Sequence, residues 1–148
     1  MGQLFISHSS KDDGFVRALR EALADQGQEG WIDSRELRGG DPLWPEIQKA
    51  IEAASAFAVV VSPQALQSKW VGKELAFALE LRKQRGKDRF PVVPLSLDGT
   101  QLGELETIFG DEPTYIAVSS GPGGVEAALD PILVALRWRD PADQVPTP

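Results

Sequence analysis

The sequence of 148 residues contains no cysteine and one histidine, His8. The absence of cysteine excludes a disulfide framework and a thiolate metal site, and one histidine cannot form a histidine metal cluster. We therefore expect no metal ion in this protein. A chain without disulfides is also compatible with the reducing cytoplasm, which is the location we expect.

Long apolar runs and an excess of basic residues are missing as well. No run approaches the roughly 20 apolar residues that span a bilayer. Residues 1–9 have neither the basic start nor the length of a signal peptide. The formal net charge of −7 argues against a nucleic-acid surface, which usually carries basic residues to neutralise phosphates. We expect a soluble protein with no membrane partner and no direct nucleic-acid partner.

The chain does contain five short apolar runs, four of them followed by a clearer helical pattern. The runs are 4-LFI-6, 31-WID-33, 56-AFAVVV-61, 90-FPVVPLSL-97 and 115-YIAV-118. Strands that alternate with helices and are almost continuously apolar predict a parallel sheet covered on both faces. The simplest such arrangement is a flavodoxin-like α/β fold, with five parallel strands in the order 2-1-3-4-5 and helices on both faces.

Helix boundaries can be predicted from caps and glycines. Ser9 or Ser10 can cap the first helix, and Gly86 should end the third helix after about Arg85. The connection at residues 98–113 suggests one short helix at most.

The last helix and the tail have their own signals. In residues 124–138, Pro131 predicts either a kinked helix or a new helix with Asp130 as its cap. Residues 139–148 are typical of a disordered linker or tail, so we expect the domain to cover residues 1–138.

Polar residues follow the predicted strands, and ligands of such folds bind at the carboxyl ends of the strands. A phosphoacceptor receiver domain would need an acidic pair after the first strand, an aspartate after the third and a lysine after the fifth. The chain has none of these, which excludes that function. The loop 121-GPGG-124 has no phosphate-binding glycine spacing and is more typical of a turn.

Glu74 stands out in the third helical pattern. At about 100° per residue it falls inside an apolar arc. The arc consists of Phe77, Trp70, Leu81, Ala78, Val71, Leu75 and Leu79. A carboxylate buried without partners costs several kcal/mol or takes up a proton. A residue this costly is a candidate for function.

Four stretches together resemble the bacterial Toll/interleukin receptor (TIR) domain, over residues 3–138. They are LFISHSSKDD, WIDSRELRGGDPLW, AVVVSPQAL and SKWVGKELAFAL. Some members of this family are signalling scaffolds, and others cleave the nicotinamide–ribose bond of NAD. The enzymes depend on the glutamate of a Trp-x-x-x-Glu element, which the resemblance places at Trp70 and Glu74. The resemblance therefore implies an NAD glycohydrolase with Glu74 as catalytic residue, NAD as substrate and no further cofactor.

The resemblance also implies that the loop at about residues 34–45 carries self-association and helps to form the nicotinamide end of the site. We expect the self-association residues to be Arg38, Gly39, Gly40, Asp41 and Pro42. From the strand ends, this loop and the Trp-x-x-x-Glu element, the candidate substrate-binding residues are His8, Ser9, Asp33, Leu43, Trp44, Ser62 and Trp70.

A single carboxylate suits this chemistry on physical grounds. Nicotinamide leaves NAD as a neutral base, so the leaving group needs no general acid. Positive charge develops on the ribose, and one carboxylate can stabilise it. The product can be linear ADP-ribose or a cyclic isomer.

We expect other TIR domains and a sensor domain of a longer protein as partners, with activation by self-association and a role in bacterial immunity. Two alternatives remain open: a non-catalytic TIR scaffold in which Glu74 only pairs with a cation, and a nucleoside deoxyribosyltransferase-like enzyme.

Overall fold

The computed structural model describes residues 3–27, 31–32, 44–86, 89–103 and 115–137 of the chain. The strands are β1 (Leu4–Ser7), β2 (Trp31–Ile32), β3 (Ala56–Val61), β4 (Val92–Leu97) and β5 (Ile116–Val118). A 3-10 helix covers Ser10–Asp12, and the α-helices are α1 (Asp13–Asp25), α2 (Trp44–Ala53), α3 (Pro63–Leu66), α4 (Lys69–Arg85) and α5 (Gly124–Arg137).

The strands form one sheet with the order β2-β1-β3-β4-β5, and every adjacent pair is parallel. The predicted α/β class with a parallel sheet and helices is therefore confirmed. All side chains of β1, β3 and β4 are buried, as expected for strands covered on both faces. Among the described residues, every helix is too short or too polar to cross a membrane.

Two apolar clusters fill the space between the sheet and its helices. One cluster joins α1 and α5 to the sheet through residues such as Leu19, Ile132 and Val60. The other joins α2 and α4 to the opposite face, where Phe5 stacks on Phe57 with ring centroids 5.5 Å apart. Alternate residues of β1 thus face different helices, and Phe5 and Ser7 point to the side of α4.

The boundaries of α4 follow the predicted signals. The Ser68 hydroxyl accepts a hydrogen bond from the Val71 amide at the start of the helix. Gly86 follows the last turn with a φ of 97°, a conformation that glycine adopts without strain, so the predicted end at Arg85 is confirmed.

Two local predictions need correction. Helix α3 was not predicted, although Ser62 and Pro63 carry its signal: Ser62 caps the helix and Pro63 occupies its first turn. The suggestion that a new helix begins at Asp130 is wrong, because α5 continues through Pro131 as one helix. The predicted short helix at residues 98–113 falls largely, and the linker at 139–148 wholly, outside the described residues.

Candidate functional site

Glu74 lies on the face of α4 that packs against the sheet. Only 1% of the residue is exposed, and the other buried positions of the helix are all apolar: Val71, Leu75, Ala78 and Leu81. The prediction that the apolar arc contains a carboxylate is therefore confirmed. Because burial removes water from the carboxylate, placing Glu74 here lowers the stability of the fold unless other contacts compensate.

Ser7, the last residue of β1, contacts Glu74 directly. Its hydroxyl donates a hydrogen bond of 2.7 Å to Oε1 of Glu74. Ser7 is also only 1% exposed. Ser7 was not among the predicted site residues. A signal was present, because strand alternation puts this hydroxyl on the same face as Phe5, where an apolar side chain is expected.

His8 and Ser9 contribute to the turn that follows β1. Nε2 of His8 lies 2.8 Å from Oδ1 of Asp13 in the first turn of α1, and Nδ1 lies 3.4 Å from the Ile6 carbonyl oxygen. The Ser9 hydroxyl accepts a hydrogen bond from the Lys11 amide and caps the 3-10 helix. Both residues thus have identified structural contacts, and substrate binding by either remains a prediction.

Ser62 joins the loop after β3 to the loop after β1. Its hydroxyl donates to Oδ2 of Asp12 at 2.5 Å and accepts from the Ala65 amide at 3.0 Å. Both Ser62 and Asp12 are buried. The contact between Asp12 and Ser62 was not predicted, because the two residues lie 50 positions apart in the sequence.

Trp44 and Trp70 are brought together at the outer side of α2 and α4. Their ring centroids are 6.1 Å apart, and Phe77 meets Trp44 edge to face at 5.8 Å. The Lys73 ammonium lies 4.5 Å from the Trp44 centroid and 5.4 Å from that of Trp70. Trp70 is 41% exposed and leans on Trp44 at the edge of the apolar arc, and its predicted role in substrate binding stays a prediction.

The loop after β2 cannot be compared with its prediction. Asp33, Arg38, Gly39, Gly40, Asp41, Pro42 and Leu43 lie outside the described residues. Within the residues that the structure describes, no cluster of three or more histidine, cysteine, aspartate or glutamate side chains could hold a metal ion.

Asp98 and Ser120 follow the carboxyl ends of β4 and β5 and contact each other. The carboxylate of Asp98 accepts hydrogen bonds from both the hydroxyl and the amide of Ser120. These two bonds, the side-chain bond foremost, lower the pKa of Asp98 below 3.8. A cavity of about 430 Å³ lies between these residues and the Asp12–Ser62 pair.

The glycine-rich turn before α5 has a structural explanation. A Cβ atom on Gly124 would lie 1.9 Å from the Ser119 carbonyl oxygen, which is closer than any side chain can tolerate. Only glycine fits where α5 approaches the end of β5, in agreement with the interpretation of this loop as a turn.

The sequence matches one family model and is similar to several known proteins. A family model described as "TIR domain" matches residues 4–133. The 2′ cyclic ADP-D-ribose synthase BtTIR of Bacteroides thetaiotaomicron is 42% identical over 72 residues, which are 48% of this chain and 25% of the relative. TcpO of Methanobrevibacter olleyae, named a probable 2′ cyclic ADP-D-ribose synthase, is 30% identical over 88% of this chain and 37% of its own length.

A third relative is the NAD(+) hydrolase TcpA of a Theionarchaea archaeon. It is 29% identical over 90% of this chain and 40% of its own length. The chain thus spans less than half of each of these three relatives.

Two solved structures share the fold. The TIR domains of the activated Roq1 resistosome, which recognises the pathogen effector XopQ, give a TM-score of 0.58 at 23% identity, covering 95% of this chain and 80% of the other. The TIR domain of the Toll-related receptor TRR-2 from Hydra magnipapillata gives 0.56 at 17% identity, with 97% of both chains covered. At these identities the similarity concerns the fold alone.

Proposed function

Because the chain belongs to the TIR-domain family, we propose that it is an NAD glycohydrolase, which cleaves the bond between nicotinamide and ribose in NAD. The observation that carries this proposal is the buried carboxylate of Glu74, held by Ser7 at the carboxyl end of β1. Ligands of doubly wound α/β folds bind at this edge of the sheet. Relatives named for NAD hydrolysis and for cyclic ADP-ribose synthesis support the same activity.

The reaction needs one negative group in an apolar setting. When the C1′–N1 bond breaks, its electron pair goes to the pyridinium nitrogen, and nicotinamide leaves as a neutral molecule. The ribose carbon becomes cationic, and the Glu74 carboxylate stabilises this charge. The apolar neighbours Val71, Leu75 and Ala78 exclude water and so strengthen the attraction between the two charges.

The nucleophile determines the product. Addition of water at C1′ gives ADP-ribose and one proton, whereas attack by a hydroxyl of the same molecule gives a cyclic isomer and also releases a proton. Two of the relatives are named 2′ cyclic ADP-D-ribose synthases, so a cyclic product belongs to the proposal beside the linear one.

Substrate contacts are proposed for the residues around Glu74. The exposed indole of Trp70 offers an apolar surface near the first turn of α4, and Trp44 supports that surface from α2. His8, Ser9, Asp33, Leu43 and Ser62 complete the proposed set of substrate contacts.

Self-association provides a reason for a buried catalytic group. With 1% of the residue exposed, Glu74 cannot meet a ribose until neighbouring groups move. We attribute that movement to assembly of TIR domains through residues Arg38–Pro42, triggered by a sensor domain of a longer protein. Activation by assembly suits a role in bacterial immune defence, because the enzyme then consumes NAD only after a signal. In this proposal residues 1–138 form the catalytic domain and 139–148 the link to its partner.

The test is NAD turnover by the purified chain over a wide range of protein concentrations, with products separated by chromatography. An enzyme completed by assembly shows a rate that rises more steeply than in proportion to protein concentration. Assembly without any loss of NAD would support a non-catalytic scaffold. Turnover of deoxynucleosides in place of NAD would support a nucleoside deoxyribosyltransferase-like enzyme.

A further inference from the structure

We infer that Ser7 is a positioning residue, whose hydroxyl holds the Glu74 carboxylate in the orientation that the reaction requires. The inference rests on the proposed function, because it assigns Ser7 a task in the same reaction. Its starting observation is the hydrogen bond of 2.7 Å from the Ser7 hydroxyl to Oε1 of Glu74, between two residues that are each 1% exposed.

Ser7 belongs to a strand inside the sheet. It ends β1, which pairs with β2 on one side and β3 on the other, and Ser7 itself is in register with Val59. Side chains held by a central strand keep their place better than those held by loops. The Ser7 hydroxyl that donates to Glu74 is therefore attached to the backbone of the sheet.

Glu74 needs such a partner because its own side chain does not fix the carboxylate. The last torsion of a glutamate side chain is broad and roughly two-fold, so the plane of the carboxylate turns easily. The other buried side chains of α4 are apolar and carry no hydrogen-bond donor. A serine hydroxyl has one hydrogen, and donating it to Oε1 selects one orientation of the carboxylate.

The positive charge forms at one position, the ribose C1′ atom. The orientation of the Glu74 carboxylate toward that atom therefore affects the rate. A displacement of about 1 Å can cost on the order of 100-fold in rate. Loss of the Ser7 hydroxyl therefore lowers kcat. KM changes little, because the hydroxyl donates to Glu74 and not to the substrate. A hydrogen bond with only a structural task would change the stability and leave the kcat of the folded enzyme intact.

The experiment compares Ser7→Ala and Ser7→Thr in the full chain under assembling conditions. Threonine keeps the hydroxyl, and alanine removes it. Ser96→Ala is the matched control, because Ser96 is 2% exposed on β4 and its hydroxyl donates to the Thr100 carbonyl oxygen, away from Glu74. Thermal midpoints and light scattering verify that each variant folds and assembles. Should Ser7→Ala fail to fold, Ser7→Val serves instead, because valine has nearly the shape of threonine but no hydroxyl.

We expect Ser7→Ala to lower kcat by about 10- to 100-fold with KM changed less than about threefold, and Ser7→Thr to keep kcat within about threefold of the wild type. Ser96→Ala keeps the wild-type kcat. An unchanged kcat in folded Ser7→Ala, or in Ser7→Val where that variant replaces it, overturns the inference while the NAD glycohydrolase proposal stands.

A double-mutant cycle with Glu74→Gln tests whether Ser7 acts through Glu74. If Ser7→Ala lowers kcat further by the same factor in the Glu74→Gln background, Ser7 does not act through Glu74 and the inference is wrong. If the wild-type chain assembles but does not cleave NAD, the proposed function is wrong. The inference is then wrong as well, but this result comes from the wild-type assay and not from the Ser7 variants.

Discussion

The ring of Trp44 lies against the ring of Trp70 with 6.1 Å between their centroids, and this contact joins the start of α2 to the start of α4. The Lys73 ammonium lies over both rings, but only Trp44 also meets Phe77 edge to face, whereas Trp70 keeps 41% of its surface exposed. The two indoles therefore have different tasks: Trp44 is the packing residue, and Trp70 is the available surface.

Trp44→Ala should be the more destabilising of the two truncations. We expect it to lower the free energy of unfolding by about 2–4 kcal/mol, and Trp70→Ala by about 1 kcal/mol or less, because cavity cost follows burial. Denaturant unfolding measures both values. Trp70→Ala should in addition raise KM for NAD if its indole contacts substrate. Equal destabilisation by the two variants would contradict the division of roles.

Ser62→Ala should cost more than the loss of an ordinary helix cap. It removes the cap of α3 and also the donor to the buried Asp12 carboxylate. We expect a loss of about 2–3 kcal/mol in the free energy of unfolding. Ser68→Ala, which removes the cap of α4, is the control and should cost about 1 kcal/mol. Similar losses in the two variants would show that the bond to Asp12 contributes nothing.

Asp98 makes a pH-dependent contribution to stability. Its pKa is lowered in the fold by the hydroxyl and amide of Ser120, so its contribution is present above the unfolded-state value of 3.8 and is lost as the pH falls through the lower folded-state value. Asp98→Asn should therefore melt below the wild type at pH 7, and the difference should shrink below about pH 4. Asparagine tolerates the positive φ of 53° at this position, so the backbone is not strained.

Thermal midpoints between pH 7 and 2.5 measure this difference. Asp130→Asn, an exposed position on α5, controls for the loss of one charge. A constant offset between the wild type and Asp98→Asn across the whole range would show that the hydrogen bonds to Ser120 do not favour the ionised carboxylate.

Gly39 and Gly40 test the proposed assembly loop. Because two adjacent glycines give the backbone unusual freedom, replacing both with alanine should impair self-association and NAD turnover together and leave the fold intact. Light scattering, NAD turnover and circular dichroism measure the three properties. Gly14→Ala on α1, where an added Cβ meets nothing within 4 Å, should change neither assembly nor turnover. Loss of folding in the double variant would assign the glycines a structural task.

Patterns that depend on near neighbours in the sequence predicted much of this molecule. The run at 56–61 is the strand Ala56–Val61, and helical periodicity alone placed Glu74 on the buried face of α4. Gly86 marked the end of the same helix. These signals operate over a few residues, so the sequence contains them in full.

Contacts between distant segments were not predictable in the same way. Ser7 meets Glu74 across 67 positions and Ser62 meets Asp12 across 50, and only the folded sheet brings these pairs together. The exposure of Trp70 was not predictable for a related reason: periodicity gives the direction of a side chain, whereas its exposure depends on which neighbouring elements cover it.

Glu74→Gln tests the central claim most directly, through NAD turnover and the thermal midpoint of the same variant. Glutamine keeps an oxygen that can accept from Ser7 but carries no charge. If Glu74 stabilises the ribose cation, turnover falls by at least about 100-fold. The midpoint stays the same or rises, because the cost of a buried charge is gone. Glu80→Gln, on the exposed side of α4, should change neither property. The account would be contradicted by a Glu74→Gln variant that still cleaves NAD and is strongly destabilised. The loss in free energy of unfolding would then be roughly 3–5 kcal/mol, as when a buried ion pair is broken, and the variant would melt much earlier.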